Sequence, residues 1–319
     1  MPGRVHDQGG QGHMASDADI IEMATGLEFP EGPIALPDGS VLLVEIRRGT
    51  LSRVPAGGGT VEVVAELGGG PNGAAIGPDG AAYVANNGGF KWGELDGMTL
   101  PFDMEDMSNQ PDDFGGGWID RVDLTTGEHS VLYRDHGDGT RFCGPNDIVF
   151  DDLGGFWFTD FGKTRARDAD RGSLFYATAD GTHIVEAARG LHGPNGVGLS
   201  PGGDRVYVAE SFTGRVLAWN VEAPGTVQSP APTVIEATKG HFDSLALEAD
   251  GAVVVASLYD GLCIVQPDGS GHEYVAMPDR FVTNICFGGD NMTTAYVTLS
   301  GSGRLVSREW PRPGLPLAF

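Results

Sequence analysis

One phrase recurs along this chain and constrains it more than any other feature. A short loop ends in a polar residue, a small apolar run follows, and a turn of the Pro-Asp-Gly kind closes it. The clearest copies begin at Phe29-Pro30-Glu31-Gly32, Gly70-Pro71-Asn72-Gly73, Gly144-Pro145-Asn146-Asp147 and Gly193-Pro194-Asn195-Gly196. Weaker copies carry Asp243 and Asn284. The polar residues Glu31, Asn72, Asn146, Asn195, Asp243 and Asn284 are separated by 41, 74, 49, 48 and 41 residues. The average is about 51, close to the length of one propeller blade. Six copies therefore predict an all-β fold, a six-bladed β-propeller.

Within a copy, strands of five to seven residues alternate with glycine-rich turns, as an all-β chain requires. The first blade reads as four strands over 33–36, 40–46, 50–55 and 61–67. The last, over 285–310, lacks an outer strand, and residues 20–25 are expected to supply it and close the ring. Gly 51 and Pro 20 in 319 residues suit a fold built from many turns. That length fits one propeller domain over 19–319. Residues 1–18 are polar and glycine-rich with no apolar signal core, and read as a disordered tail or a cloning remnant, with Met14 as an alternative start. Two insertions break the period. The segment 88–117 carries seven carboxylates against the single Lys91 and is either a solvated loop or a lid over the axis. The shorter segment 162–171 lengthens the third blade.

A net charge of −24 argues against nucleic acid and against an anionic membrane surface as partners. No run of 18 apolar residues exists to span a bilayer. Cys143, Cys263 and Cys286 form no close-spaced pair, which points to a reducing, cytoplasmic setting. Oligomeric state is not written in the sequence.

In a propeller the inner strands surround a channel, so the six equivalent polar positions point at one axial region. The set is all oxygen and amide, with two carboxylates and neither Cys nor His. Such hard donors suit Ca²⁺ best, with Mg²⁺ and Mn²⁺ behind it. Without a cation, neighbouring carboxylates repel and one tends to protonate. Asn before Gly is also an ordinary turn pair, which leaves Asn72 and Asn284 open to that simpler reading. Glu31 and Asp243 have no such excuse.

These residues resemble the SMP-30/gluconolactonase/luciferin-regenerating-enzyme family of six-bladed propellers. Phe29-Pro30-Glu31-Gly32-Pro33 matches its opening motif. The stretch from Arg141 to Asp147, followed by 156–160, looks like its Pro-Asn-Asp region, and Gly193 to Gly196 with 206–210 like its next blade. Phe242-Asp243-Ser244 matches its Asp-bearing blade. The resemblance covers roughly 27–306. It implies one divalent cation, calcium first with zinc, manganese, magnesium or iron as alternatives, held by Glu31, Asn146, Asn195 and Asp243. Asn146 either ligates that cation or contacts substrate.

Asp243 is the candidate base as well as a ligand, and Asp147 stands beside the third-blade position. His192 and His241 lie near the pocket mouth as candidate acids or bases, or as ordinary loop histidines. Arg141 and Asn72 are candidate substrate contacts, with a blade salt bridge as the other reading of Arg141. Trp92 and Phe90 either line the pocket or anchor the insertion. The resulting expectation is a metal-dependent hydrolase that opens a small neutral lactone or ester. Hydrolysis of an organophosphate or aryl ester on the same architecture is the runner-up, and a non-catalytic ligand-binding propeller is the alternative of another class.

Overall fold

A computed structural model describes residues 20–228, 232–238 and 240–319. The tail expected over 1–18 lies outside the described residues. Five four-stranded antiparallel sheets and one of five strands, the fourth, are arranged in chain order as blades, and the fold is a six-bladed β-propeller. Their inner strands are Pro30–Ala35, Pro71–Ile76, Pro145–Phe150, Pro194–Leu199, His241–Leu247 and Val282–Gly288. Each packs against the inner strands of both neighbouring blades, so the six close a ring around the axis.

Closure follows the expected route. Ile20–Ala24 pairs antiparallel with Arg304–Glu309, placing Ile20 opposite Arg308 and Glu22 opposite Val306. The N-terminal strand is thus the outer strand of the blade that the C-terminal strands build.

The core is divided among the blade interfaces. In the second strand of blade one, Leu42 and Val44 face blade two, while Val41 and Leu43 face blade six. Val253 and Val255 likewise face blade four, and Val254 and Ala256 face blade six. Side chains alternate along a strand. A strand packed on both faces is therefore apolar at every position, which is why these segments read as continuous hydrophobic runs. The blade two–three interface is the aromatic one, built on Tyr83, Phe142, Phe150, Phe156, Phe158 and Phe175.

The face of the ring where the inner strands begin also carries the connections between second and third strands. Both insertions, 88–117 and 162–171, sit in such connections and so belong to that face. The long one forms a small hairpin, Gly93–Leu95 with Met98–Leu100. Among the described residues no helix is long and apolar enough to cross a membrane.

Candidate functional site

The recurring polar residue was expected in a loop before each inner strand. It lies within the strand instead, and every inner strand breaks register at or next to it. A bulge leaves residues unpaired and re-aims a side chain. Here six such breaks fall at equivalent places near the start of the six inner strands.

A second repeated position fixes the approach to those places. In four blades, the last residue of the second strand accepts a backbone N–H from two or three residues before the axial position. Glu45 Oε2 takes Glu28 N–H at 2.8 Å, and Asn86 Oδ1 takes Gly70 N–H at 2.8 Å. Asp160 takes both Cys143 and Gly144, at 2.8 and 2.6 Å, and Glu210 Oε1 takes His192 at 2.8 Å. These buried acceptors satisfy loop N–H groups that would otherwise be orphaned inside the ring. They were not anticipated from sequence, although their place at the end of each second strand repeats with the blades.

Glu31 is buried, and its Oε2 accepts from Gly32 N–H at 2.9 Å and from Asn284 Nδ2 at 2.7 Å. Burial pushes its carboxyl up to about 7, against the lowering effect of the bonds from Asn284, Thr283 and Gly32. Asp147 is also buried; its Oδ1 accepts from Ile148 N–H and its Oδ2 from Val197 N–H of the next blade. Burial raises it to about 7 as well, with the Glu31 charge adding to the rise. Asp243 is half-buried, and burial together with the charges of Glu31 and Asp147 lifts its carboxyl well above the usual range. Three carboxyls from blades one, three and five therefore share one electrostatic field, although 212 residues separate Glu31 from Asp243.

Amides complete the set. Asn195 Nδ2 donates to Ser211 at 3.2 Å, and its Oδ1 accepts from Ser244 at 3.3 Å. Asn146 is buried with an Oδ1 that meets no hydrogen-bond donor. Asn72 is buried at the equivalent place in blade two. Asn284, read from sequence only as a member of the repeat, is the direct partner of Glu31. Sequence inspection also passed over Ser211 and Ser244, whose hydroxyls orient Asn195.

The donor chemistry fits a hard cation. An unsatisfied amide oxygen and three mutually repelling carboxyls are what a divalent ion would neutralise. The groups acting most strongly on the three carboxyls include no Lys, Arg or His. Among the described residues no three Cys, His, Asp or Glu form a ligand group by themselves, so a cation here would depend on the Asn oxygens.

The remaining candidates stand further out. His241 is exposed, and its Nδ1 donates to Ser211 O at 3.2 Å, one residue-step from Asn195. The His192 ring instead meets Arg171 of the second insertion. Arg141 donates to Gly115 O at 2.6 Å and so holds the long insertion to blade three. Cys143 has its thiol pushed up to about 12 by burial and by Asp160, which suits no nucleophile.

The long insertion reaches well beyond its own blade. Phe90, Trp92, Met98 and Leu100 pack with Phe29, Ile46, Leu258 and Phe281 of blades one, five and six. Thr99 N–H donates to Gly301 O at 3.0 Å. Lys163 of the second insertion is 1% exposed and donates to Gly89 O at 2.6 Å, with its ammonium 4.2 Å from the Phe90 ring centre. Trp92 and Phe90 thus anchor the segment across the face that carries the axial groups.

At the opposite end of the axis lies a cavity of about 640 Å³. Its walls are the apolar residues of the inner strands, its floor is 315–319, and Gly32, Asp147 and Asn284 reach its upper end. Leu315 N–H is tied to Leu247 O at 2.8 Å, and the Phe319 ring packs edge-on against Phe150 at 6.0 Å. The carboxyls are therefore approached from the two ends by very different surroundings.

The family model described as SMP-30/Gluconolactonase/LRE-like region matches residues 29–301, which span all six inner strands and leave out Ile20–Ala24 and Arg304–Glu309. The chain belongs to this family. A gluconolactonase from Zymomonas mobilis is 27% identical over 304 residues, 86% of this chain and 77% of that protein. A pentonolactonase from Haloferax volcanii is 29% identical over 166 residues, which is 51% of this chain and 54% of the relative. Among solved structures, a gluconolactonase from Xanthomonas campestris superposes with a TM-score of 0.71 at 19% identity, covering 92% of this chain and 89% of that one. At that identity the superposition bears on the fold alone.

Proposed function

We propose that this protein hydrolyses a lactone at the loop-face end of its axis. The observation that carries the reading is the meeting of three raised carboxyls with the unpartnered Asn146 Oδ1. The names of its family relatives, gluconolactonase and pentonolactonase, support the reaction class. Glu31, Asn146, Asn195 and Asp243 would hold a divalent cation, with calcium the best match to all-oxygen donors. Bound there, such an ion supplies Lewis-acid polarisation of the ester carbonyl and offsets the negative charge that develops on its oxygen.

The chain's own groups divide the remaining work. Asp147 has both carboxylate oxygens committed to backbone N–H groups, so it serves to tie blade three to blade four. Asp243 is the half-buried member of the three, and its carboxylate is the candidate base. Asp243 takes a proton from the attacking water. That proton passes to the ring oxygen as the C–O bond breaks, and a hydroxy acid leaves. His241, on the Ser211 carbonyl, is the candidate to take up the second proton, the one that the new carboxylic acid releases to solvent. Asn72 and Arg141 are kept as substrate-side contacts, Arg141 through the insertion it holds.

The test is a panel of γ- and δ-lactones with chelator and with added Ca²⁺, Mn²⁺ or Zn²⁺. Turnover should vanish with chelator and return with cation. Asp243→Asn should lower kcat by about 10²-fold or more, within the range for losing a positioned base. Turnover insensitive to chelator would refute the cation. Full activity in a cation-loaded Asp243→Asn protein would refute Asp243 as the base. No hydrolysis of any lactone would leave the binding-propeller reading.

A further inference from the structure

The face of the ring that carries the insertions also carries a group of aromatic rings. Phe161 and Phe212 meet edge to face at 5.2 Å and pack directly onto Gly193, two residues before Asn195. Phe212 follows Ser211, the hydroxyl that holds Asn195 and whose carbonyl holds His241. His241 is paired in register with Leu258, and the next residue, Tyr259, meets Phe281 at 5.7 Å. Phe29, two residues before Glu31, meets Trp92 at 5.3 Å, and Trp92 meets Phe90. Lys163 then joins Phe90 to the loop of Phe161. The rings form a collar drawn from five blades and the insertion; Phe29 and Phe281 are its buried members, and Phe212 and Tyr259 are its exposed ones.

Two of these rings are costly to keep where they are. Phe212 is 52% exposed and Tyr259 61% exposed. Tyr259 also has φ +73°, in the left-handed region that a bulky side chain seldom occupies. An exposed aromatic held at a strained backbone position is a sign of use rather than of packing.

Several of the cationic groups on this face are already engaged. Lys163 is bound to Gly89 O and Asn87, Arg141 to Gly115 O, and Arg47 to Glu94. His192 is bound to Arg171. A polyhydroxylated sugar lactone also needs donors and acceptors for its hydroxyls, which ring faces do not supply. A flat apolar group gains from the same surface.

We propose that this collar selects lactones carrying an apolar, preferably aromatic, substituent over aldonolactones; the inference rests on the lactone-hydrolase reading above. The experiment compares kcat/KM for δ-valerolactone bearing a ring phenyl group, for unsubstituted δ-valerolactone and for glucono-δ-lactone, each relative to its uncatalysed rate. The phenyl compound is expected to exceed the unsubstituted ring by about tenfold or more, the scale on which apolar pockets discriminate. Phe212→Ser and Tyr259→Asn should each lower that ratio by about tenfold, mainly through KM. Phe212→Leu should recover most of it, and melting curves establish that the variants are folded. A phenyl-to-unsubstituted ratio near one, a ratio unmoved by the folded variants, or a preference for glucono-δ-lactone overturns the collar and leaves the lactonase standing. No turnover of any of the three overturns the lactonase reading itself.

Discussion

Lys163→Met tests how the long insertion is seated over the axis. The lysine is 1% exposed, and its ammonium has Gly89 O at 2.6 Å and Asn87 Oδ1 at 3.3 Å, with the Phe90 and Phe114 rings beside it. Among the described residues no carboxylate forms an ion pair with the ammonium; Asp160 and Asp170 act on it from further away, although the Lys163 backbone N–H donates to Asp170. Burial pulls its ammonium down to about 7, against the opposing influence of Asp160, Cys143 and Asp170. In the unfolded chain the same group titrates near ~10.4. Between those values the unfolded state holds a proton that the folded state has released. Stability therefore rises with pH through that window and is lost as pH falls toward 7.

Each pH unit is worth up to about 1.4 kcal/mol for one proton. From pH 7 to 9, allowing for half-protonation at the start, the gain from this group is about 2 kcal/mol. Methionine keeps the unbranched stem and removes the titration. Urea-unfolding free energies should be measured from pH 6 to 9 in both proteins, with chelator and reductant present. The difference, wild type minus variant, should grow by about 2 kcal/mol between pH 7 and 9. Parallel curves would refute the reasoning, because they would mean that the ammonium stays charged in its buried seat.

Two further outcomes follow from the axial geometry. Glu31→Gln keeps an oxygen able to accept from Gly32 and Asn284 while removing one of three repelling charges. Calorimetry should show weaker cation binding, and the cation-free protein should melt no lower than wild type at pH 8. An unchanged affinity would remove Glu31 from the ligand set. Gly196→Ala should destabilise by at least the ~1–3 kcal/mol typical of overpacking, because its Cβ would stand 2.6 Å from Leu245 N and 2.8 Å from Ser244 C in the next inner strand. Gly115→Ala, with open space around it, is the matched control and should change stability by less than about 0.5 kcal/mol on thermal or urea unfolding.

What the sequence made legible is what the ring repeats. The blade count, the closing strand at the N-terminus and the six axial polar positions all follow from one phrase recurring near one period, since each blade must solve the same packing problem. The bulges were not legible. A register break is a relation between two strands, and Asn72 or Asn195 before Gly reads equally well as a turn. The engagement of Asn284 with Glu31 joins the last blade to the first across 253 residues, and only ring closure brings them together.

The surroundings of the axial groups were the least legible part. Phe29, Trp92, Phe212 and Tyr259 share no spacing, because the loops that carry them are where the blades are free to differ. Lys163 looks like any surface lysine until the two insertions fold over it. This division has a physical origin. Changing an interface residue such as Val44 or Val255 disturbs two blades at once, whereas an exposed loop ring such as Phe212 touches few neighbours. A propeller of this kind can keep its axial oxygens fixed while its collar is rebuilt. For that reason the reaction class is best argued from Glu31, Asn146, Asn195 and Asp243, and the substrate from the rings above them.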